Sequence, residues 1–185
     1  MEPGARSRRA GRATWYPPDV TSLRVQFVHG LEGSPQGAKA CLFAEHFDAT
    51  TPAMDTGDFA ACVELQAASL AAFRPDVLVG SSFGGAVVVE LLRRGAWRGP
   101  TLLLAQAAIR RDASVRLPQG VRVWLVHGRC DALVDIEDSR TLARTGSPER
   151  VQLIEVDDDH ALHDSVANGA LLGWVRDLHA AASGA

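Results

Sequence analysis

Five short apolar runs, "LRVQFVH", "DVLVGS", "PTLLLAQ", "VRVWLVHG" and "RVQLIEV", recur from Leu23 onward and constrain the fold more than any other feature. They are continuous rather than alternating and are bounded by turn residues, the pattern of strands buried on both faces of a parallel sheet. Stretches with helical spacing separate them: Gly37 to Phe47, Phe59 to Phe73, Gly84 to Arg94, Ile136 to Arg144 and Ser165 to Ala180. Strands alternating with helices of this length predict right-handed βαβ units in a three-layer α/β/α sandwich with a mostly parallel sheet. A further short strand between Ala49 and Met54 is weakened by Pro52, because proline cannot donate to a sheet ladder.

With 185 residues, the chain reads as one α/β domain over 23–185, preceded by a basic extension. That extension, residues 1–22, carries Arg6, Arg8, Arg9 and Arg12 among Gly and Pro, lacks an apolar period, and reads as a flexible, solvated end. A net charge of -3 and a pI near 6.0 give the molecule no general attraction for nucleic acid or an anionic membrane. Cys41, Cys62 and Cys130 are three in number and have no C-x-x-C spacing, so neither a disulfide framework nor a zinc site is expected. The sequence contains no apolar run of about 20 residues to span a bilayer and no secretory h-region, which points to a cytoplasmic protein.

The chemistry concentrates where strands end. "VGSSFGG" follows the second run and opens a helix, and within it Gly80-Ser81-Ser82-Phe83-Gly84 has the G-x-S-x-G form. A turn this sharp crowds the positions two residues either side of the serine, and glycine at both removes the clash. Ser82 is then lifted off the sheet with helix N–H groups behind it, while Ser81 points elsewhere. The competing reading is a plain serine-capped turn. A phosphate loop is disfavoured, because neither GxxxxGK[ST] nor GxGxxG is present.

A serine hydroxyl needs an imidazole base and a carboxylate to orient that base. Asp131 lies just past "VRVWLVHG", and His160 sits in the acidic turn of "VQLIEVDDDHALHD". Asp135 is the rival acid and His163 the rival base. His46 and His179 fall on helical stretches, and His127 ends a strand beside a glycine, where it shapes a loop. Asp157, Asp158 and Asp159 either solvate the turn or act on the imidazole. His29-Gly30 closes the first strand, where the Leu31 N–H can join that of Phe83 to form an oxyanion hole.

Taken together, these motifs resemble the α/β-hydrolase superfamily, and within it the small lidless YqiA-like esterases. The likeness runs from Leu23 to the end and is carried by "FVHGLEGSPQGAKA", "LVGSSFGG", "LLLAQAAIR" and "DDDHALHD". Gln106 and Ala107 stand where that group has Asn-Pro. By position the resemblance implies Ser82 as nucleophile, Asp131 as acid and His160 as base, with no cofactor and no metal.

Only Ile109 to Val123 separates the strand after the elbow helix from the strand bearing the acid, too short a gap for a lid domain. An open site favours short, accessible acyl substrates. The expected function is a serine hydrolase of small carboxylic esters or thioesters. The alternatives are an amide or peptide hydrolase with the same triad, and a non-catalytic binding module. The sequence does not place Glu32, Lys39 or Arg110 relative to the pocket and does not set the oligomeric state.

Overall fold

The computed structural model describes residues 23–184, so the expected basic extension over 1–22 lies outside the described residues. Six strands form one sheet in the order β2-β1-β3-β4-β5-β6, and every neighbouring pair is parallel. They are β1 (Arg24–Val28), β2 (Asp48–Thr50), β3 (Val77–Ser81), β4 (Thr101–Leu104), β5 (Val123–Gly128) and β6 (Val151–Val156). The helices are α1 (Ala38–His46), α2 (Phe59–Phe73), α3 (Phe83–Arg93), α4 (Ala108–Arg111), α5 (Ile136–Ala143), α6 (His163–Ala167) and α7 (Ala170–Ser183).

Period-2 geometry splits each apolar run between two cores. Leu78, Leu103, Val123 and Leu125 face one side, packing with Val63 and Leu70 of α2, Val88 and Leu91 of α3, and Leu142 of α5. Val77, Val79, Leu102, Leu104 and Val126 face the other, with Phe43 of α1 and Leu171, Val175 and Leu178 of α7. These strand residues are fully buried, and each side chain contributes about 1.5–3 kcal/mol of hydrophobic free energy. Burial on both faces is why the runs are continuous, and the result is the three-layer sandwich.

Three local readings are adjusted. The short extra strand is β2, a three-residue edge strand that ends before Pro52. The elbow helix begins at Phe83, one residue before Gly84. The helix expected over 165–180 is two helices, because Gly169 takes a left-handed conformation (φ 75°) and the Asn168 side chain accepts from the Ala170 N–H at 2.9 Å. Between β4 and β5 the only helix is the four-residue α4, so no lid domain occupies that gap. No helix among the described residues is long and apolar enough to cross a membrane.

The strand order reverses direction between β1 and β3. Ligands in open α/β sheets bind at such a switch point, outside the carboxyl ends of the strands. The β1–α1 and β3–α3 loops meet there.

Candidate active site

Ser82 occupies the turn between β3 and α3 with φ 53° and ψ -117°, a left-handed conformation that costs a non-glycine residue about 1–3 kcal/mol. The surrounding backbone holds it in place. Its N–H donates to Leu104 O at 2.9 Å, and its carbonyl accepts from Ala107 N at 3.1 Å and Ala86 N at 3.3 Å. The flanking glycines are a steric requirement: a Cβ on Gly80 would stand 2.7 Å from Val88 Cγ2, and one on Gly84 only 2.1 Å from Val28 O. Ser81 remains within β3 and is buried.

His160 lies on the loop after β6. Its Nε2 stands 3.0 Å from Ser82 Oγ and its Nδ1 2.7 Å from Asp131 Oδ2. The carboxylate can only accept, so Nδ1 carries the proton and Nε2 is left to accept from the serine hydroxyl. The Asp131 side chain is 1% exposed and that of His160 19%, which shields the carboxylate from water while leaving the imidazole a face toward the cleft. Burial pushes the Asp131 carboxyl pKa up, but the Val134 N–H, the His160 ring and the Leu133 N–H together hold it below the usual carboxylate range. The loops bearing Asp131 and His160 are joined directly, with Arg129 N donating to Val156 O at 2.8 Å and Cys130 N to Asp158 O at 3.0 Å. A Cβ on Gly128 would approach Asp158 O to 2.3 Å, so this pairing needs a glycine there.

The rival residues are engaged elsewhere. Asp135 caps α5, accepting from Glu137 N at 2.9 Å. His163 pairs with Asp159 at 2.7 Å, and its side chain is 77% exposed. Asp158 is buried and accepts from the N–H groups of Asp159, Ser165 and Asp164, so it builds the histidine loop. His46 bonds Leu42 O within α1.

Leu31 and Phe83 both line the cleft, and the N–H of neither donates to an acceptor among the described residues. The β1 loop comes close enough for this, since a Cβ on Gly30 would stand 3.2 Å from Ser82 Cβ. His29 shapes that loop: its Nε2 accepts from Met54 N at 3.3 Å, which leaves Nδ1–H to donate to Gly30 O at 2.9 Å. The cleft has a volume of about 750 Å³, and Leu31 and Leu133 are exposed on its lining.

Several comparisons bear on this architecture. No family model matches the chain, and no curated protein matches it by sequence. Among solved structures, the esterase domain of a Rhodothermus marinus protein superposes with a TM-score of 0.63 at 18% identity, covering 87% of this chain and 90% of that one. A Rhodococcus esterase gives 0.65 at 16% identity, over 87% of this chain and 91% of that one. A Xanthomonas campestris α/β serine hydrolase described as having no lid gives 0.57 at 22% identity, over 87% and 85%. The chain has the α/β-hydrolase fold. The narrower likeness to the YqiA-like esterases rests on the sequence motifs alone.

Within this α/β-hydrolase fold, sequence reasoning left two features unplaced. His127 is fully buried and stands 3.1 Å from Asp131 Oδ2; its place in a "VHG" strand end was the available signal. Lys39 and Arg111, on α1 and α4, line the same cleft as Ser82, and no local pattern marks them for it.

Proposed function

We propose that the protein is a serine hydrolase that cleaves small, accessible carboxylic esters or thioesters through an acyl-enzyme on Ser82. The observation that carries this reading is the unbroken line from Ser82 Oγ through His160 to Asp131, with contacts of 3.0 and 2.7 Å, opening into the cleft. The neighbouring folds described as esterases and serine hydrolases support it.

In this mechanism His160 Nε2 takes the Ser82 proton as Oγ attacks the acyl carbon. The charge that develops on the carbonyl oxygen is met by the N–H groups of Leu31 and Phe83, and Asp131 stabilises the imidazolium. His160 then gives its proton to the departing alkoxide or thiolate. In the second half a water molecule, deprotonated by the same Nε2, attacks the acyl carbon and releases the acid with Ser82 restored. The exposed leucines of the cleft offer apolar contact to a short acyl chain.

The test is labelling by a fluorophosphonate, with the adduct located by mass spectrometry, alongside hydrolysis of 4-nitrophenyl butyrate. The expected result is an adduct on Ser82, absent in Ser82→Ala and strongly reduced in His160→Ala, with ester hydrolysis lost in both. Full hydrolysis by folded Ser82→Ala overturns the proposal.

A further inference from the structure

We infer that the preferred esters carry an anionic group and that Lys39 holds it, an inference that rests on the serine-hydrolase reading of the same cleft. The ionisable residues lining the cleft besides its histidines are Lys39, Arg110, Arg111 and Glu32, three cations against one carboxylate. The chain as a whole carries a net charge of -3, so the cleft has the opposite sign to the molecule around it. Positive charge concentrated in a concave, partly desolvated site draws and retains anions more strongly than the same charge on a convex surface.

The three cations are not equally available. The Arg110 guanidinium donates to Leu133 O, across the cleft wall formed by α4 and the acid loop. The Arg111 guanidinium lies over the Phe59 ring at 3.6 Å, and Phe59 in turn packs edge-on against Phe83 at 5.7 Å between ring centres. Both arginines therefore already have partners. The Lys39 ammonium has neither a carboxylate in ion-pair range nor a hydrogen-bond acceptor among the described residues.

Lys39 is half-buried, and loss of water pushes its pKa down; Asp159 and Asp158 offset this only from a distance. Those two carboxylates are occupied, Asp159 by the His163 ring at 2.7 Å and Asp158 by the Ser165 N–H at 2.9 Å. A partly desolvated ammonium without a partner is costly, and an arriving anion removes that cost by forming a charge-assisted hydrogen bond. A neutral ester of the same shape gains less, because its carbonyl oxygen can accept a hydrogen bond but leaves the ammonium charge uncompensated. The anion recognised is a carboxylate or phosphate borne by the substrate, on its acyl or its alcohol side.

The experiment compares matched pairs. 4-Nitrophenyl hydrogen glutarate is set against its methyl ester, with the anion on the acyl side. 4-Carboxyphenyl butyrate is set against 4-(methoxycarbonyl)phenyl butyrate, with the anion on the leaving group; phenyl butyrate bearing a 4-phosphate extends the second series. At low ionic strength at least one acid should show a kcat/KM about tenfold or more above its neutral partner, the size of one charge-assisted hydrogen bond. Lys39→Met and Lys39→Gln should collapse that ratio, and Lys39→Arg should retain much of it. Salt should erode the ratio in the wild type and not in Lys39→Met.

Equal cleavage of acid and neutral partners by the wild type, with Ser82 labelled by fluorophosphonate, overturns the anionic preference and leaves the hydrolase standing. A ratio that survives in both Lys39→Met and Lys39→Gln removes Lys39 from the role. Failure of labelling and of all hydrolysis in folded protein removes the serine-hydrolase reading and this inference with it.

Discussion

His127 Nε2 stands 3.1 Å from Asp131 Oδ2, the same carboxylate oxygen that receives His160 Nδ1 at 2.7 Å. The buried His127 ring also bonds Val134 O at 3.0 Å through Nε2 and contacts Ser139 Oγ at 2.7 Å through Nδ1. Ser139 Oγ accepts from Gln106 Nε2 at 3.2 Å, and Gln106 Oε1 accepts from Ala108 N at 2.7 Å. One ring therefore ties the Asp131 loop to α5 and to the segment after β4. Nε2 donates, so Nδ1 is the acceptor for the serine hydroxyl.

Replacing His127 with leucine strips these partners from Val134 O and Ser139 Oγ in a buried place. The expected loss is about 1–3 kcal/mol of stability, with a fall in kcat larger than any rise in KM because Asp131 is less firmly held. His127→Gln, which keeps a donor, should be milder in both. Urea unfolding and steady-state kinetics on 4-nitrophenyl butyrate check this, and a leucine variant of unchanged kcat contradicts it.

Asp131→Asn should lower kcat by roughly 10³–10⁴, because an amide no longer enforces the Nδ1–H tautomer of His160 or stabilises its charged form. Stability carries a second signature. The folded carboxyl pKa is depressed, so Asp131's contribution is complete above its unfolded value of about 3.9 and is lost as pH falls through the folded value. The stability gap between wild type and variant should therefore narrow on acidification from pH 5 to pH 3, as read by urea midpoints.

Gly84→Ala and Gly173→Ala should move stability in opposite directions. The first places a Cβ against the carbonyl oxygens of Val28 and His29, rigid backbone atoms that cannot swing aside, and should cost about 3 kcal/mol or more. The second meets nothing within 4 Å in the middle of α7 and should stabilise by about 0.5–1 kcal/mol. Differential scanning calorimetry distinguishes them.

Glu90 of α3 binds both Arg93, the last residue of that helix, and Arg94 just after it, each at 2.6 Å, and those hydrogen bonds hold its pKa at about 2. Both guanidinium groups face water, so screening limits the gain, and Glu90→Gln should cost on the order of 1 kcal/mol at neutral pH. The folded pKa is again the lower one, so the cost should fade as pH drops from about 4.5 toward 2. A cost that persists at pH 2 would assign it to packing instead.

Much of the architecture was legible beforehand because its causes are local. A continuous Val/Leu run reads as a doubly buried strand wherever it occurs, and Gly80 and Gly84 mark the sharp turn by what they lack. The helix break at Gly169 escaped notice for the converse reason: apolar spacing carries through residues 165–180, and only the backbone at Asn168–Gly169 interrupts it.

The sequence alone determined the order of the main strands and of the longer helices between them, and that Ser82, Asp131 and His160 each follow a strand, because periodicity and turn chemistry act within a few residues. Tertiary structure decided which groups meet. Ser82 and His160 are 78 residues apart and His160 and Asp131 are 29, so their contact depends on sheet register and on how the loops after β3, β5 and β6 converge. It also decided that His127 turns inward onto Asp131 and that Lys39 reaches the cleft with no ion-pair or hydrogen-bond partner among the described residues. Side-chain direction across a sheet and desolvation in a cleft arise from the packing of distant segments, which no local pattern encodes.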